Sequence, residues 1–490
     1  THVAGGAINF ARAMTPEDHR RTQAFIRSQS RRSGVGGMTP TTFATGYLYA
    51  GMGWTTVNEA AVPVLTARHT HEELCDIPIV DKSCLVLMAN NEILLELIEA
   101  GEFERAKDVV AWLIWAAKAY GVKAVNPGGV AAWKWGKDAK QLSSPIEGYT
   151  KLTPGDIISS LSQIVESLGL PHPLHLHCNN LGAPGNVDTT LETMKHLEGR
   201  RAHIAHMQYH AYGGDDWSTI CSATSQLADY FNTHTNLTTD AGAVLFGDTV
   251  TITADGPWQH LLYQLTGRKW GNLDVENETG CGIVPYTYKP TNLVNVVQWA
   301  AGLELMLMID DPWRVFLTTD HPNGGPFTSY PDLIAQLMDR SARQAVMDQL
   351  PKEALEVSAL ASMTREYSLR DIAVMTRQAP ARLLGLTDRG HLRPGAVADV
   401  SVYRESPDKA AMFRRATHVT KNGTFIVRNG QLAAPRYGRT LSVAPNYDKA
   451  IVPHVGEAYD RRWGLPPETF NVPETLMRNT SPFEVVACRS

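Results

Sequence analysis

The chain has 490 residues, of which 43% are hydrophobic and 19% charged, with a formal net charge of −5. That balance fits a soluble globular enzyme with a sizeable core and excludes an electrostatic nucleic-acid binder, whose domain would be strongly basic. Six cysteines, Cys75, Cys84, Cys178, Cys221, Cys281 and Cys488, are scattered without a CxxC pair, so a reducing cytoplasm is the expected location.

No apolar run approaches the roughly 18 residues of a membrane span, and the start, Thr-His-Val-Ala-Gly-Gly, lacks the layout of a secretion signal. Strand-like apolar runs lie near 47–57, 84–89, 121–126, 173–178, 202–207, 235–239 and 313–319. Helical patterns alternate with them, including Asn91 to Tyr120 and a stretch from Thr153 to Leu168, where Thr153-Pro154 supplies an N-cap and a first-turn proline. Such alternation announces a parallel α/β sheet or barrel.

Two segments, 127–150 and 240–290, are rich in Gly, Trp, Tyr and Thr and fit neither period, which reads as insertions over a barrel mouth. Residues 1–388 therefore read as a barrel. A small β-domain is expected at 389–445, opening with Gly390-His391-Leu392-Arg393-Pro394-Gly395, and a proline-rich arm at 446–490.

Metal sites need several N and O ligands converging on one point, and a barrel provides this at the C-terminal ends of its strands. His175 and His177 share one face of a strand, with His177 nearer its end; His206 ends the next strand, with His210 following in the loop. Asp320 ends an apolar run, where an unpaired carboxylate would be costly without a cation or an acid/base task. A rival pair, His69 and His71, falls in Thr70-His71-Glu72-Glu73, which reads as a helix capping box.

This order of strand-end His, strand-end His and Asp320-His321-Pro322, followed by a Pro-Gly-Ala-x-Ala-Asp tail, resembles the amidohydrolase superfamily. More narrowly, His2-Val-Ala-Gly-Gly6, Val125-Asn-Pro-Gly-Gly129, His175-Leu-His-Cys-Asn-Asn-Leu-Gly182 and Thr318-Thr-Asp-His-Pro-Asn-Gly-Gly-Pro-Phe327 resemble the A subunits of formylmethanofuran dehydrogenase and of the formyltransferase/hydrolase complex. The resemblance implies a (β/α)₈ TIM-like barrel of the amidohydrolase type with a small side β-domain. It also implies that His2 is the second histidine of a first-strand His-x-His motif whose first member would precede Thr1.

The implied activity is metal-dependent hydrolysis of the N-formyl amide of a methanofuran-type carrier, with other complex subunits as partners. His2, His177, His206, Asp320 and, at the bridging position, Asn126 are the implied metal ligands, and Asp320 the catalytic proton carrier. Asn179, Asn180, His210 and His321 are the candidate substrate contacts. Where many relatives bridge two cations with a carboxylated lysine at the end of the fourth strand, alignment places Asn126. A neutral amide cannot offset repulsion between two cations, so one Zn²⁺ is expected rather than two. Lys123 lies an odd step earlier, which turns it to the opposite strand face from Asn126, and Lys134 lies beyond the strand.

The arginines Arg20, Arg21, Arg27, Arg31 and Arg32 could hold carboxylates of the carrier's tail, although a solvated helix face or a subunit contact is preferred. Trp133, Trp135, Trp258, Trp270, Tyr286 and Tyr288 are expected to line the carrier's path or meet a partner. Competing readings are the formate-condensing subunit of a formylmethanofuran dehydrogenase, a free-standing dihydropyrimidinase-like amidohydrolase, and a metal-free scaffold subunit.

Overall fold

Short segments buried on both faces build the centre of the molecule, whose computed structural model describes residues 1–18, 37–273, 278, 281–433, 436–477 and 483–489. The strands that position the site are β1 (Thr56–Val62), β2 (Asp81–Leu87), β3 (Gly121–Val125), β4 (Leu174–His177), β5 (Ala202–Ile204), β6 (Leu237–Asp240), β7 (Gly247–Thr253), β8 (Gly282–Tyr288) and β9 (Val315–Phe316). Seven of them pair in parallel in the spatial order β9-β6-β5-β4-β3-β2-β1.

The eighth position is filled by the first residues of the chain. Ala60 N on β1 donates to Thr1 O (3.2 Å), and His2 N donates to His321 O (2.7 Å), so Thr1 and His2 span the gap between β1 and the segment after β9. These two bonds link the edges of the seven-stranded parallel sheet, giving a barrel with helices between its strands, in the α/β class.

Several sequence expectations need correction. The run at 47–57 is a helix, Thr42–Gly51, followed by the start of β1. Its residues Tyr47, Tyr49 and Ala50 are all buried, which erased the polar stripe that reveals a helix. Asn91 to Tyr120 divides into Glu92–Glu99 and Phe103–Ala117. Thr70 lies inside the helix Ala67–Asp76, its hydroxyl donating to Thr66 O (3.0 Å), so the capping box there does not form. The one at Thr153 does: its hydroxyl accepts from Asp156 N (3.3 Å), and the Asp156 side chain accepts from Thr153 N (3.0 Å). Thr153→Ala is expected to cost about 1 kcal/mol of stability, to be read from the denaturant midpoint.

The 240–290 insertion forms an antiparallel pair, β7 with β8, and a helix, Gly256–Thr266. Residues 401–432 form a separate four-stranded antiparallel sheet, whereas Thr440–Val443 and Phe483–Val486 extend the central sheet in parallel from the start of β2. Among the described residues no helix is long and apolar enough to cross a membrane. The five arginines Arg20, Arg21, Arg27, Arg31 and Arg32 lie outside the described residues.

Candidate active site at the barrel mouth

Four of the five predicted ligands meet at the barrel mouth, and the fifth, Asn126, does not line it. His2, Lys123, His177, His206 and Asp320 all line one cavity of about 280 Å³, whose remaining wall comes largely from the insertion, with Trp258, Tyr286 and Tyr288 among its residues. The 240–290 insertion thus covers the mouth, as expected for a loop inserted after a barrel strand.

Each ligand candidate is held from behind. His2 Nδ1 lies 2.8 Å from Glu59 Oε1, and the second oxygen of that buried carboxylate accepts from Val3 N and Ala4 N. Burial would raise the Glu59 carboxyl, yet the charge and hydrogen bond of His2 bring it below its ordinary value. His177 Nε2 lies 3.3 Å from Asp255 Oδ2. His206 sits in the left-handed region (φ 35°) just after β5, and its backbone N donates to Asp240 Oδ1 (2.9 Å). Gly242 makes that turn possible, since a Cβ there would lie 2.4 Å from the His206 Cβ.

The rings of His177 and His206 stand edge to face with centroids 4.7 Å apart. Burial holds both histidines, and His210, well below the usual imidazole range, so they are neutral at pH 7 and have a lone pair to offer. Among the described residues, His206 Nδ1 and both ring nitrogens of His210 are buried without a hydrogen-bond partner. Asp320 also sits at a left-handed position (φ 47°), with Oδ2 accepting from Asn323 Nδ2 (2.7 Å). Burial raises its carboxyl, His2 opposes that, and the nearby Asp240 adds to it. Neutral imidazoles and a desolvated carboxylate lining one cavity are the donor types a zinc-like cation takes.

The other candidates are placed differently. Asn126 is buried but does not line the cavity; its amide donates to Asp138 and Asp255 (3.1 Å each). Asn179 lies behind it, donating to Asn126 Oδ1, Pro127 O and Ala139 O. Asn180 takes a left-handed turn conformation (φ 60°). At Gly182, which ends that motif, a Cβ would come 2.3 Å from the Trp258 indole, so the loop and the roof need glycine there. His321 accepts from Phe327 N through Nδ1 (3.1 Å) and packs edge-on against the Phe327 ring. His210 packs against His177 and His206, with centroids 5.4 and 5.5 Å away.

Lys123, set aside in the sequence on the parity of its strand position, is the lysine that lines the cavity. Asn126 follows the strand's last residue in a left-handed turn (φ 39°), so alternation counted back from it misjudges which β3 side chains point inward. Lys123 pairs in register with His175, and burial brings its ammonium down to about 8 against the opposing pull of Asp320 and Asp240. Glu59, Asp240 and Asp255 were missed; each is a carboxylate isolated in sequence, and only the fold brings it to a histidine.

One layer below, His175, His203 and Asp240 bring their ligating atoms within 4.8 Å of one another. Both nitrogens of His203 already have partners, Asp240 Oδ1 (3.1 Å) and Thr238 Oγ1 (3.0 Å), so this group reads as a buried support beneath the mouth. A second cavity of about 670 Å³ reaches these residues, His206 and Asp320 from the side of the four-stranded sheet. His69 and His71 line neither cavity; His71 Nε2 lies 2.8 Å from Ala117 O.

A parallel α/β barrel with histidines and an aspartate at its strand ends is the architecture of the amidohydrolase type. The amidohydrolase family model matches residues 1–431, and the chain belongs to that family. It is 41% identical to Protein FwdA of Methanocaldococcus jannaschii, over 96% of this chain and 87% of that protein. It is likewise 41% identical to the A subunit of the formyltransferase/hydrolase complex Fhc of Methylorubrum extorquens, over 100% of this chain and 90% of the relative. A crystal structure of the FhcABCD complex from that organism, in complex with methylofuran, contains a chain that superposes with a TM-score of 0.91 at 41% identity, covering 100% of this chain and 90% of that one.

Proposed function

We propose that this chain is the amidohydrolase subunit of a formyltransferase/hydrolase complex, cleaving the N-formyl amide of a methanofuran-type carrier and releasing formate. The observation that carries the reading is the convergence of His2, Lys123, His177, His206 and Asp320 on one cavity, in a chain 41% identical over its whole length to the A subunit of Fhc.

His2, His177, His206 and Asp320 would hold zinc, which when bound supplies Lewis-acid polarisation of the formyl oxygen and hydroxide near neutral pH. Asp320 accepts the proton of the attacking water on its carboxylate and returns it to the carrier's amine nitrogen as the C–N bond breaks. Tyr209, Trp258, Tyr286 and Tyr288 give the cavity aromatic walls suited to a furan ring, and the covering insertion limits the entry of bulk water. Lys123, which faces the cavity where Asn126 does not, takes the place of the family's bridging lysine, and two ions replace one as the expected content.

The same amide chemistry run towards formylmethanofuran within a dehydrogenase assembly is the second reading, favoured by the equal identity to FwdA. The two readings differ in their partner chains, so the subunits that co-purify decide between them.

The test is zinc content on protein purified without chelators, together with formate release from N-formylfurfurylamine. Zinc-dependent release supports the hydrolase. A chain with neither zinc nor release is a scaffold, and rapid turnover of small cyclic amides by the isolated chain would favour a free-standing dihydropyrimidinase-like enzyme.

A further inference from the structure

Behind His177 lies a network that the reaction as described does not use. Asn126 bridges two carboxylates, donating to Asp138 Oδ1 and Asp255 Oδ1, while its own oxygen accepts from Asn179 (2.9 Å). Asp255, 2% exposed, divides its two oxygens between different tasks. Oδ1 also accepts from Trp258 N (3.2 Å), capping the helix Gly256–Thr266 that contributes Trp258, Gln259 and Leu262 to the cavity wall. Oδ2 meets His177 Nε2.

A carboxylate accepts only, so the His177 nitrogen facing it carries the hydrogen and the lone pair is left on Nδ1. A carboxylate behind a ligating imidazole also raises its basicity and fixes its orientation.

We infer that Asp255 is a positioning residue: it sets the tautomer and orientation of His177 as a metal ligand and ties that ligand to the helix roofing the cavity. This rests on the reading of His177 as a zinc ligand. Asn126 and Asn179 then serve as the frame that holds Asp255, which accounts for two conspicuous asparagines that do not reach the cavity.

The test compares zinc affinity of the full chain, measured by chelator competition, in wild type, Asp255→Asn and Asp138→Asn. Asparagine at 255 keeps an oxygen for Trp258 N and the Asn126 amide but turns an N–H toward His177, which favours the tautomer protonated on Nδ1. Asp255→Asn is expected to bind zinc about 10–100-fold more weakly, with a metal-free melting temperature close to wild type. Asp138→Asn removes a charge from the same network without touching His177 and is expected to keep an affinity near wild type.

Unchanged zinc affinity in Asp255→Asn overturns the inference, as does an equal loss in Asp138→Asn, which would assign the effect to charge rather than to the bond. A metal-free Asp255→Asn protein that melts far below wild type would assign it to folding and overturn it too. If wild type itself binds no zinc, the metal-site reading fails, and this inference with it.

Discussion

Replacing Asp320 with asparagine is expected to lower formate release by roughly 10²–10⁴-fold, the usual contribution of a positioned proton carrier, while the barrel stays folded. Asparagine matches the carboxylate in shape and retains an oxygen for Asn323 Nδ2, so the left-handed turn at 320 keeps its support. What it removes, together with the negative charge of one proposed zinc ligand, is the ability to take a proton and return it. That interaction is made only as the amide bond breaks, so kcat is expected to carry the loss and KM to change little. Steady-state kinetics on N-formylfurfurylamine, with zinc content measured on the same preparation, checks this. If zinc is retained and the rate is unchanged, proton transfer belongs to another group. If zinc is lost together with the rate, Asp320 acts first as a ligand.

The strand-end residues were legible in the sequence because each lies at the end of a short apolar run, a local signal. His177, His206 and Asp320 could therefore be chosen from a string of letters, and the structure brings all three to one cavity. The 240–290 segment was singled out by its long aromatic and glycine-rich stretch after a strand, and Trp258, Tyr286 and Tyr288 from it line the cavity. The supporting carboxylates were not: Glu59, Asp240 and Asp255 lie 57, 37 and 78 residues from the histidines they contact. No local pattern encodes such a pairing. The helix Thr42–Gly51 was misread because it is buried on most sides and shows no amphipathic period. Asn126 was misassigned for a different reason: it stands beside the strand end in sequence, but the chain has already turned, and its amide is engaged by Asp138 and Asp255.

Lys123 yields the second large expected effect, and it decides the metal count. A neutral amine attacks carbon dioxide and loses a proton to leave an anionic carbamate, and burial of Lys123 favours the neutral amine this needs. The carbamate would supply the negative charge that two neighbouring cations require and that Asn126 cannot. Wild type purified with bicarbonate is therefore expected to hold about two zinc ions per chain, and Lys123→Ala about one. Formate release should fall at least about a hundredfold, because each metal's polarising effect is worth several kcal/mol. A short carboxylate such as propionate, able to occupy the space left by the lysine side chain, is expected to restore part of both zinc content and rate. Intact protein mass under gentle ionisation should show the added carbon dioxide in wild type and not in Lys123→Ala. If wild type and Lys123→Ala hold the same single zinc, Lys123 is instead a buried ammonium whose charge is balanced by Asp320 and Asp240. The site would then run on one ion, as the neutral Asn126 suggested.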